Sequence, residues 1–91
     1  MITRKFLKKC FDKAAPFKNK DEDHPVKAIS LLREKIPYEK CLSIIGGAEH
    51  DQLYLCDVDD VLPYLTKEDV DVLADCNCFI DEDLDSLSLF V

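Results

Sequence analysis

Prolines and glycines cut this chain into short pieces. Pro16, Pro25, Pro37 and the only two glycines, the adjacent Gly46 and Gly47, fall between its apolar stretches. Proline interrupts a helix and restrains the residue before it, and a glycine pair stops one. The first half of the chain, as far as Gly47, must therefore be assembled from pieces of about a dozen residues or fewer.

Most pieces read as helices. Residues 2–14 place Ile2, Phe6 and Cys10 on one stripe and Leu7, Phe11 and Ala14 on the next, with Arg4, Lys5, Lys8 and Lys9 elsewhere on the wheel. This predicts a basic amphipathic helix over residues 1–15, ended by Pro16. Residues 16–24 read as a polar connection in which the charge changes sign. His24-Pro25 opens a second helix, with Val26, Ile29, Leu32 and Ile36 inward, that closes before Pro37. A short helix restarts at Pro37 and carries Cys41, Leu42, Ile44 and Ile45 inward as far as Gly46-Gly47. Thr66 is an N-cap with Asp69 three residues on, ahead of Val70, Leu73 and Cys76. Asp81 repeats that arrangement ahead of Leu84, Leu87 and Val91.

Two segments read both ways. Leu53, Leu55 and Asp57 alternate with Tyr54, Cys56 and Val58 as a strand would, while Tyr54, Val58, Val61, Leu62 and Leu65 fit a helix. Leu87, Leu89 and Val91 also alternate. A repeat weighs toward helices: Asp57 to Leu65 matches Asp83 to Val91 in acidic, apolar and aromatic classes, at an offset of 26 residues, with a fainter copy at Ile36-Pro37-Tyr38. The expected fold is therefore all-α, a single small domain over residues 1–91 built as a bundle or array of five to six short helices, with residues 25–91 as an acidic helical body. The alternative is α+β, with short strands near 52–58 and 86–91.

The strings DVDDVLPYLTKEDVDVL (57–73) and IDEDLDSLSLFV (80–91) resemble bacterial helical repeats whose units read as acidic-Leu-acidic-x-Leu-x-Pro-Phe-Leu followed by a Ser/Thr-capped acidic helix. The likeness covers about a third of the chain, and Leu89 stands where that pattern has proline. It implies an α-helical array with an interaction role and no catalytic residue.

Length limits the chemistry. A chain of 91 residues, 47% apolar and 34% charged, has the composition of a soluble globular domain, but its core is thin and leaves little room to enclose a reaction. No nucleophile–base pair is evident, and a non-enzymatic protein is expected. There is no apolar run of the roughly 18 residues that a membrane span needs, and Lys5, Lys8 and Lys9 interrupt any signal-like segment. A cytoplasmic location is therefore expected. The five cysteines are an odd number without framework spacing, so reduced thiols are expected and disulfides are not.

Metal and cofactor chemistry is weakly represented. Cys76-x-Cys78 could join His24 or His50 at a zinc ion, but the second ligand pair of a structural site is missing. A redox pair would sit at a helix N-terminus, and these cysteines come after a helix instead. The acids from Asp75 to Asp85 lack the glycine of a calcium loop. No cofactor or metal is expected.

Charge carries the most information. Residues 1–20 hold seven Lys or Arg against Asp12 alone, whereas residues 51–91 hold twelve acids and one base, Lys67. An acidic surface repels nucleic acid and speeds encounter with basic proteins. The leading expectation is a protein–protein interaction module, in its sharpest form an acidic inhibitor or immunity-type protein covering a basic surface of its partner. The contacts would come from Asp57, Asp59, Asp60, Glu68, Asp69, Asp71, Asp81, Glu82, Asp83 and Asp85; the plain alternative is that these acids only solvate helix faces. A second expectation gives the function to Arg4, Lys5, Lys8, Lys9 and Lys13, contacting a membrane surface or nucleic acid, unless those bases dock on the acidic segment. A third is a metal- or redox-linked regulator built on the cysteines.

Overall fold

The computed structural model describes residues 2–13 and 23–90. The expected termination at Pro16, the connection as far as residue 22, and Val91 lie outside the described residues. Four helices and four strands run in the order α1 (Arg4–Lys13), α2 (His24–Lys35), β1 (Gly47–Ala48), β2 (Gln52–Asp57), α3 (Val58–Val61), α4 (Lys67–Asp75), β3 (Cys78–Asp81) and β4 (Ser86–Phe90), with a 3-10 turn over Leu62–Tyr64 after α3. The strands form one antiparallel sheet in the order β1-β2-β4-β3. The all-α expectation is thereby overturned: the fold is α+β. The strands β2 and β4 lie in the two segments whose periodicity was ambiguous. What decides them is partnership, since Leu53 pairs with Leu89 and Tyr54 with Ser88 across a long stretch of chain. Local spacing cannot report such a pairing.

The repeat dissolves for the same reason. Asp57 to Leu65 becomes the end of β2, α3 and the 3-10 turn, whereas Asp83 to Phe90 becomes a hairpin turn and β4. The helical array implied by the resemblance is not formed. Asp81 does use its capping chemistry, but on a turn: its Oδ1 accepts the backbone N–H groups of Asp83 (3.1 Å) and Leu84 (3.3 Å). Asp85 then takes a left-handed conformation, φ 57°, which brings the chain back as β4.

Other local signals hold. Thr66 and Asp69 form a reciprocal capping box at α4, with Asp69 N–H donating to Thr66 Oγ1 (3.2 Å) and Thr66 N–H to Asp69 Oδ2 (2.9 Å). Asn77, at φ 66°, ends α4 in the left-handed region and turns the chain directly into β3. In α1 both predicted stripes face inward, with Leu7 and Phe11 buried and Phe6 and Cys10 half-buried. In α2 Ala28 and Leu32 are buried, Ile29 packs half-buried against the core and Ile36 is buried just after the helix, whereas Val26 is exposed, contrary to its predicted place.

The helix expected after Pro37 is replaced by a single turn, in which Lys40 and Cys41 N–H groups donate to Pro37 O. Of its supposed core residues only Ile44 is buried, and Leu42 is 80% exposed. A disulfide between Cys41 and Cys56 ties this loop to β2, correcting the expectation of free thiols throughout. Cys10, Cys76 and Cys78 are not disulfide-bonded.

The core lies on one face of the sheet. Leu87, Leu89 and Cys78 are buried there with Leu7, Leu32, Val58, Val61, Val70 and Leu73, while Leu53 and Ile80 pack against them. Helices α1 and α4 pack on β3 and on each other, and α2 packs on α4.

Candidate partner-binding face

Strand register sorts the remaining side chains onto the opposite face. Gln52 pairs with Phe90, Tyr54 with Ser88, Asp57 with Ser86, Phe79 with Ser88 and Asp81 with Ser86, so all eight share one side of the pleat. The rings of Tyr54, Phe79 and Phe90 are half-buried, and none belongs to the core cluster. Phe79 and Phe90 stack on each other with centroids 4.3 Å apart and planes 18° from parallel. From β2, Gln52 Nε2 donates to Asp81 Oδ2 on β3 (3.1 Å), spanning β4. Ser86 and Ser88 are buried in the middle strand, and their hydroxyls lie 3.3 Å apart.

This face is acidic as well as aromatic. The Tyr54 phenol is held above its ordinary pKa, first by burial, then by its hydrogen bond with Glu49 and by the charges of Glu49 and Asp81. Asp57 adds a further exposed carboxylate opposite Ser86. Half-buried rings flanked by carboxylates suit cationic side chains, which aromatic faces attract and acids pair with.

The predicted contact residues are not one patch. Asp57 and Asp81 lie on the open face, and Glu82 and Asp83 come next on the hairpin turn at its edge. Asp85 and Asp59 both pair with Arg4, the latter at 3.4 Å. Asp69 is buried in its capping box, with Lys35 Nζ 3.9 Å away, so its carboxylate is engaged within the fold. Asp60, Glu68 and Asp71 are exposed on α3 and α4.

The basic helix docks on the acidic hairpin. Besides the pairs of Arg4, Lys8 Nζ lies 2.9 Å from Glu82 and 3.7 Å from Asp12. The Glu82 carboxyl is held below its usual range by the Lys8 hydrogen bond and then by the Lys8 charge, and Lys8 is correspondingly raised. Such exposed pairs add little stability each, but they fix where α1 lies. Lys5, Lys9 and Lys13 stay exposed. The apolar side of α1, which a membrane-binding helix would insert, is spent on the core through Leu7 and Phe11.

The cysteine and histidine candidates do not converge on a metal. Among the described residues no three His, Cys, Asp or Glu side chains are placed to hold an ion. His24 is buried at the start of α2, where Nε2 donates to Phe90 O (2.7 Å) and lies 3.4 Å from Asn77 Nδ2, fastening helix α2 to the end of β4. His50 is exposed on the turn between β1 and β2. Burial, and then neighbouring Cys76, pushes the Cys78 thiol far up from its ordinary pKa, which suppresses the thiolate that redox exchange requires.

A concavity of about 330 Å³ lies between α2 and the loop after it, lined by Ile29, Arg33, Tyr38, Leu42, Ser43, Ile44 and Ile45. Its wall is held by Arg33, whose guanidinium donates to Ile36 O (2.8 Å) and Leu42 O (3.2 Å) and stacks 3.7 Å above Tyr38.

Sequence reasoning missed Tyr54, Phe79, Phe90, Gln52 and Glu49. The signal was available in the alternation at 52–58 and 86–91, because a strand reading would have placed Tyr54 and Phe90 on one face with the two serines. No protein-family model, curated protein or solved structure matches this chain.

Proposed function

We propose that this chain is a non-enzymatic protein-binding module whose acid-flanked aromatic sheet face covers a basic surface of its partner, as an inhibitor or immunity-type protein would. One observation carries the reading: three aromatic rings sit off the core, on a side of the sheet that also bears Asp57 and Asp81, with Glu49 hydrogen-bonded to Tyr54. Aromatic residues anchor interfaces, and complementary charge steers the encounter. The membrane and nucleic-acid reading of α1 is the weaker one, since its apolar side is buried and Arg4 and Lys8 are already paired.

The test is capture from an extract of the native source at low salt, followed by salt elution. Retained basic proteins that leave as salt rises support the reading. Their absence at low salt refutes it. A cytoplasmic location is part of this proposal, and it conflicts with a lasting Cys41–Cys56 bond, because cytoplasmic thiols are kept reduced. Differential alkylation in the native cell decides between the two.

A further inference from the structure

We infer that the hollow between α2 and the loop after it is a binding site for a medium-chain aliphatic carboxylate, with the chain on its apolar walls and the head group drawn by Arg33. The hollow measures about 330 Å³, at the lower end of the range of about 300–1,000 Å³ in which small molecules bind. Ile29, Ile44 and Ile45 line it together with Leu42, which stands 80% exposed and has apolar surface left to bury. It shares no residue with the open sheet face, so the inference is independent of the protein-binding reading.

Arg33 is the one charged side chain of this lining among the described residues. It is half-buried, its Nη1 and Nη2 donate to the neutral carbonyls of Leu42 and Ile36, and Tyr38 covers one face of the guanidinium. Its Nε is buried and has no acceptor. Among the described residues no carboxylate pairs with this cation, and Glu34 beside it in the chain is not part of the lining. A half-buried guanidinium with only neutral partners attracts an anion, and Nη1 and Nη2 each keep a second N–H to donate to one. An aliphatic chain suits the walls better than a peptide does. A peptide brings backbone N–H and C=O groups that need partners, whereas the Ser43 hydroxyl already donates to Ile45 O (2.9 Å). The Cys41–Cys56 bond and the two Arg33 bonds hold the loop in place before a ligand arrives.

The experiment titrates the 15N-labelled, oxidised full chain with decanoate, decanol and decylamine, below micelle-forming concentrations and at low salt. Amide shifts are expected at Leu42, Ser43, Ile44 and Ile45. The net charge of −7 favours the amine, yet decanoate should bind about tenfold more tightly than decylamine, as one charge-assisted hydrogen bond allows. Arg33→Gln should lower decanoate to the affinity of decanol. Leu42→Asp should weaken decanoate binding about tenfold, whereas Leu84→Asp, which adds the same charge at an exposed position on the β3–β4 turn, should leave it nearly unchanged. If Arg33→Gln does not fold by circular dichroism, the head-group ranking and the Leu42 and Leu84 comparison decide. No shift with decanoate, no preference for it over decylamine, shifts centred away from the loop, or equal effects of Leu42→Asp and Leu84→Asp overturns the site. Movement of the four loop amides on concentrating the protein alone also overturns it, since a second copy would then occupy the hollow.

Discussion

Reducing the Cys41–Cys56 disulfide should cost this protein a large part of its stability. The bond joins residues 15 apart and closes a stretch that runs from the loop after α2 through β1 and most of β2. Cross-linking restricts the unfolded chain, and for a loop of that length the chain-entropy relation gives about 3 kcal/mol at 25 °C. A small domain has only about 5–15 kcal/mol in all. Urea unfolding of the same protein with and without reductant isolates the effect, because no side chain is lost in the comparison. With a denaturant slope of about 1–3 kcal/mol per molar, the midpoint should fall by about 1–3 M on reduction. Cys41→Ser in the absence of reductant should reproduce the reduced midpoint, as the half-exposed Cys41 contributes less packing than the buried Cys56. Local loosening should precede global unfolding, so amide exchange at Gly46, whose N–H donates to Tyr54 O at 2.7 Å, should accelerate in the reduced protein. Coincident urea midpoints in the oxidised and reduced states would refute the reasoning, since the loop would then be held by its other contacts.

Three further outcomes are expected. Thr66→Ala removes one half of the capping box and should lower stability by about 1 kcal/mol in the same assay, with Thr66→Ser restoring most of it. Leu87→Ala, at a fully buried position in β4, should cost about 2–5 kcal/mol, and a loss below about 1 kcal/mol would mean that the sheet's core face is not packed as described. By NMR titration the Glu82 carboxyl should titrate below the usual glutamate range and return to it in Lys8→Gln. Because the folded pKa of Glu82 is the lower one, its stabilising contribution is present above the unfolded pKa and disappears as pH falls through the folded value. Lys8 has the opposite sign: its raised folded pKa makes its contribution full below the unfolded pKa, and this is lost as pH rises through the folded value. Unshifted titration of Glu82 in the wild type would count against the docked position of α1.

Where the determining interactions were local, residues alone were enough. The capping box at Thr66 and Asp69, the start of α2 at His24-Pro25 and its end before Pro37, and the inward stripes of α1 each depend on groups within about one turn of one another. Charge asymmetry was equally visible, and with it the docking of Arg4 and Lys8 on acids late in the chain as one of two options. Asp81 shows the limit of such signals. A carboxylate that accepts two successive backbone N–H groups caps a helix or closes a hairpin turn with the same chemistry, and the partners found by the next residues decide which.

Those partners were settled by tertiary structure. Residues 52–57 and 86–90 satisfy backbone hydrogen bonds through each other, across about thirty intervening residues, and that pairing sends the two copies of the apparent repeat to different structures. The Cys41–Cys56 bond and the shared face of Tyr54, Phe79 and Phe90 are likewise products of chain reversal, which brings together residues that no local period relates. The sequence by itself thus determined the local punctuation, the helix ends and the surplus of acid. The sheet decided which acids stand beside aromatic rings, because a strand's faces acquire meaning only when its neighbours and its core are in place.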